Sequence, residues 1–128
     1  MSNISVIIPV HSSINPTHFN LSVTSMLDQT LSPLECIIIV DGPVNTDMTK
    51  LLEDFSNDPI IEVIYLPTSS GPGVSRSIGI KNSKGNIIAL MDADDISLSN
   101  RLEKQFEKLT SNKLDVVGSW IEEFDLQP

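Results

Sequence analysis

"NIIALMDADDISL" (residues 86–98) sets an apolar run directly before three carboxylates that fall within four residues. The run is continuously hydrophobic, which is typical of a strand buried on both faces of a parallel sheet. Asp92, Asp94 and Asp95 follow where that strand should end. Because carboxylates this close repel one another unless they share a cation, the stretch predicts a buried strand that ends in a ligand-binding turn.

Three further apolar runs precede this one at regular intervals along the chain. They are "ISVIIPV" (4–10), "LECIIIV" (34–40) and "IIEVIYL" (60–66). All are rich in β-branched residues, as strands are, and Cys36 in the second run is expected to be a buried, unreactive thiol. Strands that alternate with helices predict an α/β fold with a mostly parallel sheet, right-handed crossovers and helices on both faces.

The segments between these runs, and the one after residue 95, carry apolar residues at helical spacing. The residues that set this spacing are Phe19, Val23, Met26 and Leu27; Met48, Leu51, Leu52 and Phe55; Val74 and Ile78; and Leu98, Leu102, Phe106 and Leu109. The residues expected at the helix ends are Asn15 before Pro16, Thr46 as an N-cap, Gly85 as a C-cap, and Asp95 or Ser97 at the start of the fourth helix. A last strand is predicted from "DVVGSW" (115–120).

The composition is that of one ordinary domain spanning residues 1–128. With 40% hydrophobic and 20% charged residues, the chain can bury one real core. Its formal charge of −9 argues against nucleic acid as a partner, since a polyanion would be repelled. No apolar run approaches the roughly 18 residues of a transmembrane helix. The N-terminal stretch "MSNISVIIPV" lacks the basic start of a signal peptide. We therefore expect the protein in the cytoplasm, a location that includes the inner face of the membrane.

The strand ends meet at one edge of the predicted sheet, where ligands of such folds bind. The groups found there are His11, Asp41 with Gly42, "TSSGPG" (68–73) and the acidic cluster at 92–95. A divalent metal is the simplest explanation for Asp92 and Asp94 together, and Asp95 is assigned to the start of the following helix. A calcium loop is excluded, because Ile96 and Ser97 replace an oxygen ligand and the required glycine.

Three residues near this edge have both a functional and a structural interpretation. Asp41 is either a ligand-binding carboxylate or part of an Asp-Gly-Pro turn. Arg76, in the first turn of the third helix, opposes the helix dipole, which favours a ligand, although surface solvation explains it equally well. His11 suits a structural hydrogen bond better than catalysis, since the former is the commoner role of a histidine at a strand end. The string "SSGPGVSRSIG" is not a dinucleotide fingerprint, because Arg76 stands in place of the third glycine.

Two longer stretches carry a family resemblance. "SVIIPVHSSINPTHFNLSVTSMLDQTLSPLECIIIVDG" (5–42) is similar to the first strand, helix and second strand of the family 2 glycosyltransferases, with their S-L-x-Q-T pattern present as "SMLDQT" (25–30). "GPGVSRSIGIKNSKGNIIALMDADD" (71–95) is similar to that family's glycine loop, Arg-containing helix and Asp-x-Asp strand end, and "ISLSNRLEKQ" (96–105) to its next helix. Nearly the whole chain thus resembles the N-terminal, nucleotide-sugar-binding portion of an inverting enzyme with the Rossmann-like GT-A fold.

The resemblance implies roles for these positions. The substrate-binding residues would be Pro9, His11, Asp41, Arg76 and Asp92, the first three at the nucleotide base. Asp94 would bind Mn²⁺ or Mg²⁺ directly, where the metal bridges the diphosphate, with Asp92 near the ribose and the metal. The implied donor is a nucleotide-sugar, chiefly a UDP-sugar. The implied acceptor is a carbohydrate or a lipid-linked molecule of polysaccharide biosynthesis.

The chain departs from the family in two ways. Gly42 stands where the family often has a second acid. The family's general base, an Asp or Glu well downstream, is expected to lie outside this chain, with Glu122, Glu123 and Asp125 as the only internal candidates. We therefore expect a portion of a longer enzyme that binds the donor without transferring its sugar. The alternative is a non-catalytic module that binds a nucleotide or a partner.

Overall fold

The computed structural model describes residues 2–113, in which strands and helices alternate. The elements are β1 (Ile4–Val10), α1 (Pro16–Leu27), β2 (Glu35–Asp41), α2 (Thr46–Phe55), β3 (Ile61–Leu66), α3 (Pro72–Asn82), β4 (Ile87–Leu90) and α4 (Arg101–Ser111). The strand predicted at 115–120 and the acids at 122, 123 and 125 lie outside the described residues. No helix within the described part of the chain is long and apolar enough to cross a membrane.

The four strands form one parallel sheet in the order β3-β2-β1-β4. The chain builds outward from β1 to β2 and β3, and then returns across the sheet to lay β4 on the other side of β1. This reversal creates a switch point between β1 and β4, where ligands of open α/β sheets bind. The predicted Rossmann-like fold with a parallel sheet is confirmed.

Both faces of the sheet are covered, by cores of different size. The larger core joins one face to α1, α2 and α4, and in it the rings of Phe19 and Phe55 meet edge to face with centroids 6.0 Å apart. On the other face, α3 covers the smaller core of Ile7, Ile37 and Ile39. Gly79 lets α3 approach closely, since a Cβ there would lie 2.5 Å from Ile7 Cγ2. The prediction of helices on both faces is therefore correct.

Pro9 lies within β1, which is a central strand. Proline lacks a backbone N–H and is normally confined to edges and bulges. β1 pairs with β4 only from Ile4 to Ile7, whereas its pairing with β2 continues to Val10. Just after the end of β4, the N–H of Met91 donates a hydrogen bond to Ile7 O of β1 at 3.0 Å. Alternate residues of a parallel strand face the same neighbour, so Pro9 faces the side on which β4 has already ended.

Several helix ends differ from the sequence prediction. Asn45, not Thr46, caps α2, and its side chain accepts from Met48 N at 2.8 Å. α3 ends at Asn82, and its C-cap is Ser83 rather than Gly85. Gly85 is needed for another reason, because a Cβ there would lie 2.5 Å from Asn3 O and 2.6 Å from the Ser5 hydroxyl oxygen.

The start of α4 was also predicted too early. The helix begins at Arg101, so Leu98 lies before it, and neither Asp95 nor Ser97 is its N-cap. The capping residue is Asn100, whose side chain makes no capping hydrogen bond. Instead the Leu102 N–H donates to Oε1 of Gln29, which lies two residues after the end of α1 (2.9 Å). The N–H group at the start of α4 is thus satisfied by a side chain 73 residues away in sequence. The sequence pattern instead predicted a capping side chain next to the helix.

Candidate functional site

A cleft of about 240 Å³ opens at the switch point, at the carboxyl ends of the strands. Its lining comes from the end of β1, the end of β2, the first turn of α3 and the acidic turn after β4: Pro9, Val10, His11, Ile14, Asp41, Pro72, Arg76, Asp92, Ala93 and Asp94. Every residue that the sequence named as a substrate or metal ligand lies on this lining. The structure therefore brings together side chains from four separate segments of the chain.

Arg76 and Asp92 face each other across the cleft. The Arg76 Nη2 donates to Asp92 Oδ1 at 3.2 Å, with the two side chains 38% and 59% exposed. A pair so open to solvent is screened and contributes little to folding. The Nε of Arg76 is buried and has no acceptor among residues 2–113. Because the Arg76 side chain is partly exposed and its ion pair with Asp92 is open to solvent, the Nη groups retain donor capacity for an anion that enters the cleft.

The acidic turn concentrates negative charge at the mouth of the cleft. Asp94 is exposed and accepts no hydrogen bond from the described residues. Burial, followed by the charges of Asp92 and Asp94, raises the pKa of Asp95, and the guanidinium of Arg101 partly offsets this. Within residues 2–113 no three His, Cys, Asp or Glu side chains are arranged to hold a metal ion. At most two of the described acidic side chains could therefore ligate a cation here together.

Asp41 is buried, 6% exposed, and already engaged by the protein. Its carboxylate accepts from the backbone N–H groups of Ser70 (2.7 Å) and Gly71 (3.0 Å) and, weakly, from the Ser69 hydroxyl (3.5 Å). Gly42 permits this close approach, because a Cβ there would lie 2.9 Å from Ser69 N and its φ is +90°. Asp41 thus ties the loop before α3 to the end of β2, a contact that the sequence interpretation missed.

His11 and Pro9 occupy the β1 side of the cleft. The His11 side chain is exposed, and its Nδ1 accepts from Ser13 N at 3.2 Å. This bond fixes the imidazole against its own turn and leaves Nε2 as the nitrogen that a ligand can reach. His11 therefore makes the structural hydrogen bond and also lies on the lining of the cleft.

Two groups of residues that support the acidic turn were not identified as functional from the sequence. Arg101 donates to Leu90 O at 3.0 Å and to the Ser97 hydroxyl at 3.1 Å, and burial lowers the pKa of its guanidinium. On the other side, α1 contacts the turn through the "SMLDQT" segment and through Ser22. The signal available in the sequence was the S-L-x-Q-T pattern itself, to which no role was given.

Comparison with known proteins identifies the family of this chain. The sequence profile described as Glycosyl transferase family 2 matches residues 5–127. The O-antigen biosynthesis glycosyltransferase WbnJ of Escherichia coli is 35% identical over 118 residues, which is 92% of this chain and 46% of that protein. The UDP-Gal:alpha-D-GlcNAc-diphosphoundecaprenol beta-1,3-galactosyltransferase of E. coli is 26% identical over 125 residues, 97% of this chain and 46% of that protein. The chain spans less than half the length of these relatives.

Solved structures share the same architecture. S. aureus TarS 1-349 in complex with UDP superposes with a TM-score of 0.77 at 21% identity, over 96% of this chain and 38% of that one. Its complex with UDP-GlcNAc gives the same TM-score and identity over 96% and 37%. This likeness confirms the GT-A fold. With the profile match running over nearly its entire length, the chain belongs to glycosyl transferase family 2.

Proposed function

We propose that the cleft binds a UDP-sugar through a divalent metal and that the domain serves an inverting sugar transfer to a carbohydrate or lipid-linked acceptor. The observation that carries this proposal is the convergence of Asp92, Asp94 and Arg76 on one cleft at the switch point of the sheet. Two carboxylates and one cation suit a ligand that brings both a diphosphate and a metal ion. The UDP and UDP-GlcNAc complexes of TarS support this choice of donor.

The donor set fits Mg²⁺ or Mn²⁺ bound together with a diphosphate. Mg²⁺ is usually held by one or two carboxylates plus substrate phosphates and water, rather than by an all-protein cage. Asp94, exposed and without a protein partner among the described residues, is the proposed direct ligand, and Asp92 the second. When bound, the metal supplies charge that offsets the diphosphate and stabilises the departing UDP.

Arg76 would change partner when the nucleotide arrives. In the structure its guanidinium is held by Asp92 at 3.2 Å. If Asp92 served as a ligand of the metal, it would give up its bond to Arg76, and the Nη2 group would become free. The Nη donors of Arg76 would then be available to the nucleotide, and the geometry of guanidinium suits an anionic or carbonyl oxygen.

The base would lie against Pro9, His11 and Asp41. A carboxylate has about four acceptor sites, and the loop uses two of those of Asp41 at short distance, one on each oxygen. One further site on Oδ1 stays open for the N–H of a uracil ring. Asp41 would therefore hold its loop and accept from the base together, without giving up either contact.

The transfer step belongs to the whole enzyme. An inverting displacement requires a carboxylate that removes the proton of the acceptor hydroxyl as it attacks. Asp92 and Asp94 are poor candidates, since carboxylates committed to a cation have little basicity left. We propose that this base lies outside the chain, that the chain is the donor-binding portion of a longer enzyme, and that the enzyme works in the cytoplasm at the inner membrane face. The diphosphoundecaprenol acceptor in the name of one relative supports a lipid-linked acceptor.

Calorimetry of UDP binding with Mn²⁺ and with EDTA tests the proposal. We expect the affinity for UDP to rise at least tenfold with Mn²⁺, because the acidic turn repels the diphosphate until a cation neutralises it. Uridine, which lacks the diphosphate, is the matched control ligand and should bind equally in both buffers. Equal affinity for UDP in Mn²⁺ and EDTA would contradict the metal assignment.

A further inference from the structure

Polar side chains of α1, and Gln29 just after it, contact the backbone of residues 92–102, which run from the acidic turn to the first turn of α4. Ser22 donates from its hydroxyl to the carbonyl oxygen of Asp92 (2.9 Å), the residue proposed to hold the metal. Ser25 accepts, through its hydroxyl, from Ser97 N (3.0 Å). Ser22 and Ser25 lie three residues apart on one face of α1, and Gln29 follows two residues after the helix ends. We call these three residues the polar stripe of α1.

Gln29 makes the densest set of these contacts. Its Nε2 donates to Leu98 O at 2.7 Å, and its Oε1 accepts from Leu102 N at 2.9 Å. The same Nε2 donates to Ser25 O within α1 at 2.8 Å, which fixes the orientation of the amide. Gln29 is 6% exposed, so these bonds are shielded from water. One buried side chain thus joins the end of the acidic turn to the first turn of α4.

The acidic turn has few means of holding this shape by itself. Three carboxylates fall within four residues, and the Asn100 cap of α4 makes no side-chain bond. Asp95 N donates to Asp92 O at 3.2 Å, a local bond that closes a single turn of the chain. Further described support comes from Arg76, from Arg101, and from α1 together with Gln29 just after it. A metal site built on this turn therefore depends on contacts made from outside it.

We infer that the polar stripe of α1 is a positioning device that holds the Asp92–Asp94 turn in the geometry needed to bind the metal and diphosphate. Gln29, Ser25 and Ser22 do not touch the ligand in this account and act through the backbone of the turn. The inference deepens the proposed function and rests on it where the metal is concerned. It also assigns a role to the "SMLDQT" segment, which the cleft itself leaves unused.

The test compares Gln29→Met with wild type and uses Asn45→Ala as the matched control. Gln29→Met keeps the length of the side chain but removes both donor and acceptor. Asn45→Ala likewise removes a side chain that bonds a backbone N–H near a helix start, at α2 and away from the turn. Amide hydrogen exchange of the nucleotide-free protein is followed residue by residue. We expect exchange at residues 94–102 to accelerate at least tenfold relative to β2 in Gln29→Met, and to stay at the wild-type ratio in Asn45→Ala.

The second measurement is the ratio of UDP affinities in Mn²⁺ and in EDTA. We expect this ratio to fall about tenfold in Gln29→Met and in Ser25→Ala, and to be retained in Asn45→Ala. Ser25→Thr keeps the hydroxyl at a half-buried position and should restore the ratio lost in Ser25→Ala. A merely structural contact would lower stability without changing this ratio. Ser25→Ala also serves as the informative variant if Gln29→Met does not fold.

The outcomes separate this inference from the proposed function. If the amide exchange rate at residues 94–102 changes only in proportion to the rate in β2 in every variant, the inference is overturned. A loosened turn that leaves the Mn²⁺ ratio at its wild-type value would also overturn it. If wild type shows no Mn²⁺ dependence although the turn loosens in Gln29→Met, the proposed metal role fails, whereas the exchange result still supports the positioning of the turn by α1.

Discussion

The two edges of the sheet use carboxylates in opposite ways. At the amino edge, Glu35 is 7% exposed, and its Oε2 accepts from the Ser5 hydroxyl and from Lys84 N, each at 2.6 Å. At the carboxyl edge, Asp92 is 59% exposed and pairs with the Arg76 guanidinium at 3.2 Å, and Asp94 has no partner in the described residues. The first carboxylate is committed to the protein, whereas the second pair is left available to a ligand.

This contrast shows what separates a structural carboxylate from a candidate ligand in the same fold. A buried carboxylate must have its acceptor sites filled by protein donors, since an unpaired buried charge is costly. A ligand-binding carboxylate stays exposed and keeps acceptor sites open. Asp41 combines both traits, because it lies on the cleft at the carboxyl edge and yet holds two backbone N–H groups. The predictions below probe each case.

Removing the committed carboxylate should have the largest effect. Glu35→Ala leaves Lys84 N and the Ser5 hydroxyl without their acceptor in a buried site, so we expect a loss of about 3 kcal/mol in the free energy of unfolding. Urea denaturation measures this loss. Glu62→Ala, which removes an exposed glutamate from the neighbouring strand β3, should change stability by less than about 0.5 kcal/mol. A Glu35→Ala protein as stable as the Glu62→Ala protein would break the contrast between the two edges.

Asp41→Ala probes the intermediate case. Without the carboxylate, the uracil N–H loses its proposed acceptor and the loop loses its tie to β2. We expect the preference for UDP over ADP to narrow by about 2 kcal/mol, within the range for an unpaired buried group. Competition calorimetry with both nucleotides measures this. Asp54→Ala removes the same charge from the exposed face of α2 and should keep the wild-type preference. An absence of base preference in wild type would refute the role of Asp41 at the base.

Asp94→Ala tests the carboxyl edge directly. The exposed side chain has no protein partner in the described residues, so stability should be retained, while Mn²⁺-dependent UDP affinity should fall at least tenfold, or about 1.4 kcal/mol. Asp95→Ala removes the same charge one residue later and should have a clearly smaller effect on affinity. The contrast fails if Asp94→Ala unfolds the protein and spares nucleotide binding.

The sequence predicted the elements whose causes are local and missed those whose causes are distant. Continuous apolar runs placed all four strands within one residue, and Asn15 caps α1 as expected, with its side chain accepting from Thr17 N and His18 N. The start of α4 was wrong because its N–H partner is Gln29, and the tie between Asp41 and Ser70 was missed because the two residues lie 29 apart. Contacts across such distances leave no periodic trace in a single sequence.

The candidate site was predicted as a set of residues and not as an arrangement. The rule that ligands bind at strand ends selected His11, Asp41 and Asp92, the family resemblance added Pro9, and all of them line the cleft. Nothing in the pattern indicated that Arg76 would pair with Asp92, since that contact depends on how α3 lies against β1 and β2. Helix orientation is decided by packing, here by the close approach at Gly79, and packing is a property of the whole fold.

Cys36 offers the finest probe of the amino edge, because it follows Glu35 in β2. Burial raises the pKa of its thiol to about 12, with smaller contributions from the negative charges of Asp58 and Glu35. The reference pKa for the unfolded chain is 9.0. Since the folded pKa lies above the unfolded one, the thiol's contribution to stability is complete below pH 9 and is lost as pH rises from 9 towards 12.

The effect of this linkage can be isolated with Cys36→Ala. Between pH 8 and pH 9.5, ionisation of the unfolded thiol should lower the wild-type free energy of unfolding by about 0.8 kcal/mol, and Cys36→Ala should lack this component although its stability is lower throughout. Urea denaturation of both proteins across this range gives the difference. In the folded wild type, iodoacetamide should also fail to modify the thiol until the chain unfolds, because the reactive thiolate is absent and the sulfur is buried. Parallel pH profiles, or alkylation at the rate of a free thiol, would show that the amino edge admits water and charge as the carboxyl edge does.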